Sequence, residues 1–284
     1  MSLLLPNQLT VTLGTDSIAV IHQSCGFPNR TLQQQHISIA PNIVLDVGLD
    51  AEKSVWLQAV GQLESVLAAM QIKPKTTIQI IIANDFVRYL MLPQQPISMS
   101  PAEQHAYAMV AYRDVYGAVA DAWNIKLHDA APNQATIVAA IDEKLLETLK
   151  KVSLKYQLKL LSVQPYLMRV YNSLTKQLSK LNGYLLVVES KRLLLLSILN
   201  GQCQNLRTIS INVASGRDWQ HELKHLLERE QLLGDITGKN VVVYAPTQKN
   251  TKLNTIEGWQ ITLVGQTDRK VATDKSFALL EATT

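Results

Sequence analysis

Two segments of the chain are built alike, and their likeness limits the fold more than any other feature. Residues 9–21, LTVTLGTDSIAVI, set two apolar runs either side of a tight polar turn at Gly14-Thr15-Asp16-Ser17. Residues 184–199, YLLVVESKRLLLLSIL, repeat the scheme with a turn at Glu189-Ser190-Lys191. Short runs of Val, Ile, Leu and Thr broken by a few small polar residues read as paired buried strands, so each segment predicts a β-hairpin.

The order downstream of each hairpin also repeats. After the first, TLQQQHISIA reads as a third strand. DAEKSVWLQAVGQLESVLAAM follows as a helix with Val55, Trp56, Val60, Leu63, Val66, Leu67 and Met70 on one face, and TTIQIIIA as a buried strand. After the second come QNLRTISI as a strand, GRDWQHELKHLLERE as a helix, NVVVYA and WQITLVG as strands, and a short final helix around DKSFALLEA. This approximate internal duplication predicts two related α/β lobes, for which 284 residues suffice.

Between the copies, FVRYLMLP reads as a strand. Ser100-Pro101-Ala102-Glu103 starts a helix, with Ser as cap, Pro where its missing N–H costs nothing, and Glu reaching back; Gly117 permits a stop after Tyr116. ATIVAAI is a strand, DEKLLETLKKVSLKY an Asp-capped amphipathic helix, LKLLSVQ a strand and PYLMRVYNSLTKQLSK a helix. The expected division is a first lobe over residues 1–164, with an inserted small α/β subdomain around 84–140, and a second lobe over 165–284.

Two lobes that each open on a hairpin resemble the actin-like (ribonuclease H-like) fold of actin, sugar kinases and heat-shock ATPases. NDFVRYLMLP (84–93) and LLSVQPYLMRVYNSL (160–174), in this order and spacing, resemble the PilM-like proteins of bacterial type IV pilus and MSHA-type systems, and more distantly the cytoplasmic domain of the type II secretion protein GspL. The resemblance implies an α/β two-lobed fold with mixed sheets flanked by helices. It also implies a cytoplasmic scaffold of a pilus or type II secretion-like platform, peripheral at the inner membrane, holding the short cytoplasmic tail of a PilN-like membrane protein in a groove between subdomains. Arg88 and Tyr89, in the resembling segment, are candidates for touching that partner, although a strand with alternate residues facing solvent is the simpler reading of them.

Nucleotide-binding members of the fold carry D-x-G-[ST] in the first hairpin, where the carboxylate organises Mg²⁺ and the turn cradles phosphate. The run here is Thr12-Leu13-Gly14-Thr15: Gly14 and Thr15 suit, but a threonine hydroxyl cannot supply the negative charge that Mg²⁺-assisted phosphoryl transfer needs. The second turn offers Glu189 and Ser190 without a glycine, and the Gly-Gly turn expected after NVVVYA is replaced by Pro246-Thr247-Gln248-Lys249. The expectation is a scaffold without catalysis or cofactor. The competing reading is a working ATPase or small-molecule kinase, holding ATP and Mg²⁺ at Gly14, Thr15, Asp16, Glu189 and Ser190.

Composition closes off other classes. The decapeptide MSLLLPNQLT has no basic region, apolar stretch or cleavage site of a signal peptide, and the apolar GYLLVVESKRLLLLSIL is interrupted by Glu189, Lys191 and Arg192, so a cytoplasmic location without a membrane span is expected. Cys25 and Cys203 are too few for a disulfide framework or a metal site and read as free thiols. A net charge of +4 without a basic, aromatic patch argues against nucleic acid as a partner. Self-association is left open.

His221-Glu222-Leu223-Lys224-His225 matches the H-E-x-x-H pattern of zinc peptidases. Trp219, Leu223, Leu226 and Leu227 form the apolar stripe of the same helix, which turns both histidines towards solvent. No third ligand stands at a peptidase spacing, so a solvated helix face is the expected role, with no metal centre. His22, His36, His105 and His128 are scattered and suggest no triad.

Overall fold

Alternation in the first hairpin fixes its place in a sheet. In β1 (Gln8–Leu13), Leu9, Val11 and Leu13 share one face and are fully buried, and Ile18 and Val20 of β2 (Ser17–Ser24) join them. The two strands pair antiparallel with Val11 opposite Val20, and β3 (Arg30–Ser38) adds to the far side of β2. The computed structural model describes residues 6–24, 30–39, 49–95, 99–128, 134–189, 192–211, 219–233, 236–245 and 255–264.

Helix α1 (Leu49–Ala69) crosses over to β4 (Thr77–Ile82), which pairs parallel with β1. Trp56, Val60, Leu63, Val66 and Leu67 of α1 pack on the buried faces of these strands. The chain then leaves the sheet through a 3-10 turn (Asn84–Phe86) into β5 (Val87–Leu92). Helix α2 (Pro101–Tyr116) starts at the expected cap: Ser100 Oγ accepts from Glu103 N at 3.3 Å, while Glu103 Oε2 accepts from Ser100 N at 2.7 Å. It stops at Gly117, whose φ of 73° suits glycine.

Strands β6 (Trp123–Leu127) and β7 (Thr136–Asp142) complete a small antiparallel sheet of order β5-β7-β6, on which α2 packs through Ala108 and Tyr112. The Tyr112 hydroxyl reaches the carbonyls of Arg88 (2.7 Å) and Val138 (2.9 Å). Helix α3 (Glu143–Lys155), capped by Asp142 Oδ1 accepting from Lys144 N at 2.8 Å, returns the chain to β8 (Lys159–Pro165). That strand pairs parallel with β4 and closes the first sheet as β3-β2-β1-β4-β8.

The continuous helix expected over 165–180 is two: α4 (Tyr166–Ser173) and α5 (Thr175–Leu178), separated at Leu174. Ser173 Oγ donates to Val170 O (2.8 Å) and Thr175 Oγ1 to Asn172 O (2.8 Å), so hydroxyls compete with the backbone where the helix breaks.

The second lobe repeats the first. β9 (Gly183–Val188) and β10 (Arg192–Leu199) form the hairpin, β11 (Gln202–Ser210) adds antiparallel, and α6 (Trp219–Leu233) crosses to β12 (Asn240–Tyr244), with β13 (Gln260–Val264) beyond it. The order β11-β10-β9-β12-β13 has the same run of antiparallel and parallel pairs as the first sheet. Close approach is built in: a Cβ on Gly183 would sit 2.1 Å from Asn240 O, and one on Gly238 2.1 Å from Asn182 O.

Both faces of β9 are buried. Tyr184, Leu186 and Val188 meet Trp219, Leu223 and Leu227 of α6, while Leu185 and Val187 meet Tyr166, Leu167 and Val170 of α4 and Ile81 of β4. The second of these clusters is common to both lobes. The final helix expected around DKSFALLEA, the start of the helix expected at 216–218 and the run Pro246–Lys249 lie outside the described residues.

Candidate functional site

The first hairpin turn, Glu189 and Arg192 at the base of the second, and the 3-10 turn between β4 and β5 converge between the lobes. The first turn closes with Gly14 N donating to Ser17 O at 3.0 Å and is anchored by Ile39 N donating to Asp16 O at 2.7 Å. Thr12 is fully buried and its hydroxyl donates to Ala19 O at 3.4 Å, within its own hairpin. In the second hairpin Glu189 N donates to Arg192 O at 3.0 Å; Ser190 lies outside the described residues.

Asn84, fully buried, ties three parts of the chain together. Its Nδ2 donates to Glu189 Oε1 at 2.7 Å, and its Oδ1 accepts from the Tyr89 hydroxyl at 2.6 Å and from Leu167 N, at the start of α4, at 3.0 Å. Its carbonyl accepts from Arg192 Nη1 at 3.0 Å. Beside it Asp85 pairs with Arg192 Nη2, and Arg192 Nε stands 3.9 Å from Glu189 Oε2. The second hairpin is thus bonded to the first lobe through side chains on both sides of its turn.

Burial dominates the electrostatics here. It pushes the Glu189 carboxyl up to about 8, with Asp85 adding to the rise and Arg192 and the Asn84 contact opposing it. At neutral pH the protonated form of Glu189 is therefore favoured. Burial and the neighbouring Glu189 raise the Tyr89 hydroxyl well above its usual range, so it stays a donor to Asn84.

In front of this cluster opens a cavity of about 260 Å³. Thr15, Asp85, Arg88 and Arg192 give it polar walls, and Trp56 and Trp123 aromatic ones. Its cations are engaged: Arg192 with Asp85, and Arg88 through Nη1 to the carbonyl of Asp85 at 3.1 Å. A second cavity, of about 220 Å³, lies between the β6–β7 edge and the β8–α4 corner. It is mostly apolar, with Leu127, Ile137, Val163, Pro165 and Met168 among its lining, and Lys126 and His128 at its polar side.

The structure thus brings Thr15 and Arg88 to one cavity, with Gly14 and Asp16 in the turn that supports Thr15 and Glu189 buried behind. Tyr89 points its hydroxyl into the Asn84 cluster. Sequence reasoning missed Asn84, Asp85 and Arg192 as site residues. The signal lay in the dipeptide Asn84-Asp85 ending a strand of isoleucines, where a buried polar residue has to find partners. His221 and His225 are far from this cluster in the fold, on the exposed side of α6 as expected. Among the described residues no group of three or more His, Cys, Asp or Glu side chains could hold a metal, and no helix is long and apolar enough to cross a membrane.

Two lobes of identical strand order, each opening on a hairpin, with a small sheet inserted between β4 and β8, define an actin-like fold. Solved structures agree. The PilM–PilN type IV pilus biogenesis complex matches with a TM-score of 0.57 at 11% identity, over 90% of this chain and 88% of that one. The cytoplasmic domain of EpsL, an inner-membrane component of the type II secretion system of Vibrio cholerae, matches with 0.55 at 10% identity, over 95% and 94%. A Bacteroides thetaiotaomicron protein of unknown function with an actin-like ATPase fold matches with 0.53 at 12% identity, over 97% and 89%. No protein-family model matches the chain, and no curated protein does.

Proposed function

We propose that this chain is a non-catalytic scaffold of a type IV pilus or type II secretion-like assembly platform, cytoplasmic and peripheral at the inner membrane, which binds the tail of a PilN-like membrane protein. The observation that carries the non-catalytic reading is the bonding at the junction of the turns. The groups that would serve nucleotide and Mg²⁺ are turned to the protein itself: Glu189 holds Asn84 through Oε1, Arg192 pairs with Asp85, and Thr12, in place of a carboxylate, donates to Ala19. The likeness to the PilM–PilN complex and to the EpsL cytoplasmic domain supports the assembly role.

The tail fits best in the apolar cavity between β6–β7 and β8–α4. An extended segment there has β8, an edge strand of the first sheet among the described residues, for backbone pairing and Leu127, Val163 and Met168 for side-chain pockets. Arg88 and Tyr89 are then supporting residues of the neighbouring sheet.

Calorimetry and thermal unfolding with ATP and Mg²⁺ test the first half, with Gly14→Asp as a blocked-turn control. The expected result is no heat and no shift in Tm. Saturable binding lost in Gly14→Asp would overturn it and give the ATPase reading the lead. Fluorescence anisotropy with the cytoplasmic tail of a PilN-like membrane protein tests the second half: Met168→Glu should weaken binding at least tenfold, and unchanged affinity would remove the tail from this groove.

A further inference from the structure

The histidines of the H-E-x-x-H run lie outside the cleft, and the scaffold role makes no use of them. Helix α6 buries Trp219, Leu223, Leu226 and Leu227 against its sheet, so residues 221 and 225, one turn apart, stand together on the opposite, exposed side. Their rings cross at 85° with centroids 4.5 Å apart, and His221 Nε2 lies 3.1 Å from His225 Nε2. Two imidazole nitrogens come this close in one of two ways: one donates a proton to the other's lone pair, or both lone pairs point at a shared cation.

Glu228 prepares the lone pair that either arrangement needs on His225. Its Oε2 lies 3.5 Å from His225 Nδ1, which favours the tautomer with the proton on Nδ1 and leaves the Nε2 lone pair facing His221. A carboxylate behind an imidazole is the arrangement that orients histidine ligands in metal sites. The separation fits as well. With metal–nitrogen bonds of about 2.05 Å, two ligand nitrogens stand about 3.3 Å apart in a tetrahedral site and about 2.9 Å apart in a square-planar one. The observed 3.1 Å lies between the two.

We propose that His221 and His225 form a two-imidazole chelate for a first-row cation that favours nitrogen, Zn²⁺, Cu²⁺ or Ni²⁺, with Glu228 as a positioning residue. Among the described residues no third His, Cys, Asp or Glu joins them, so water completes the coordination and the cation exchanges freely. This is not the buried, three-ligand site of a peptidase. Clipping positions one turn apart, the cation would stiffen α6 in its helical form.

The test is a calorimetric titration of the full, untagged chain with zinc chloride in a non-chelating buffer, alongside His221→Gln, His225→Gln and Glu228→Gln. One equivalent of Zn²⁺ should bind, at least tenfold more weakly in either histidine variant and roughly tenfold more weakly in Glu228→Gln. All three side chains are exposed, so metal-free Tm values should match the parent. Electron paramagnetic resonance of the Cu²⁺ form should show two imidazole nitrogens in the parent and one in His225→Gln. No binding by the parent, or equal binding by the histidine variants, would overturn the site.

Discussion

At position 84 a single amide joins segments that the sequence sets far apart. Both lone pairs of Asn84 Oδ1 are used, by Tyr89 and by the α4 backbone, and Nδ2 fixes Glu189. The protonated state of Glu189 makes this arrangement sensitive to pH. Its carboxyl, near 4.5 in a free chain, rises to about 8 in the fold. Between those values the folded protein keeps a proton that the unfolded chain has released, so stability falls as pH rises through the window and this contribution levels off above it. Glu189→Gln retains an oxygen for Asn84 and has no proton to lose. Urea unfolding of that variant should depend less steeply on pH between about 5 and 8 than the parent; an unchanged slope would assign the titration to another group.

At the scale of elements, α6 docks on its sheet through apolar contacts and an ion pair. Glu230, 1% exposed, reaches Arg207 of β11 at 2.5 Å. Removing the arginine strands a buried carboxylate, so Arg207→Ala should lower stability by about 3 kcal/mol in urea unfolding, and Arg207→Ala/Glu230→Leu should recover part of the loss. A double variant no more stable than the single one would mean the pair contributes through packing instead. Elements of this kind differ in how plainly the sequence marks them. The ends of α2 and the start of α3 were legible because Ser100, Gly117 and Asp142 make their caps with neighbours a few residues away. Strand β6 went unread although Trp123, Ile125 and Leu127 alternate with Asn124 and Lys126, because a run of five residues is too short for the pattern to stand out. The break at Leu174 has neither proline nor glycine to announce it. The Asn84 cluster was least legible of all, because each half of it looks ordinary until folding joins residues more than a hundred positions apart.

For the whole molecule, the decisive feature is the core common to both lobes. Ile81 and Ile137 from the first lobe and its insert pack with Leu185, Leu196 and Tyr244 of the second. Neither lobe can open this cluster to water without exposing the other's side chains, at roughly 1.5–3 kcal/mol for each large one. The chain should therefore unfold in one transition, with calorimetric and van't Hoff enthalpies in agreement; two resolved transitions would show that the lobes melt independently. The matching strand orders have a further consequence, for assembly in time. Each half can pair its first three strands as they leave the ribosome, but the first sheet waits for β8 until the whole insert has been made. Asn84 waits longer still, its partners lying 83 residues downstream at Leu167 and 105 at Glu189. The cleft between the turns is thus completed only after the first sheet has closed, and until then a nascent chain presents an open first lobe to any partner that arrives early.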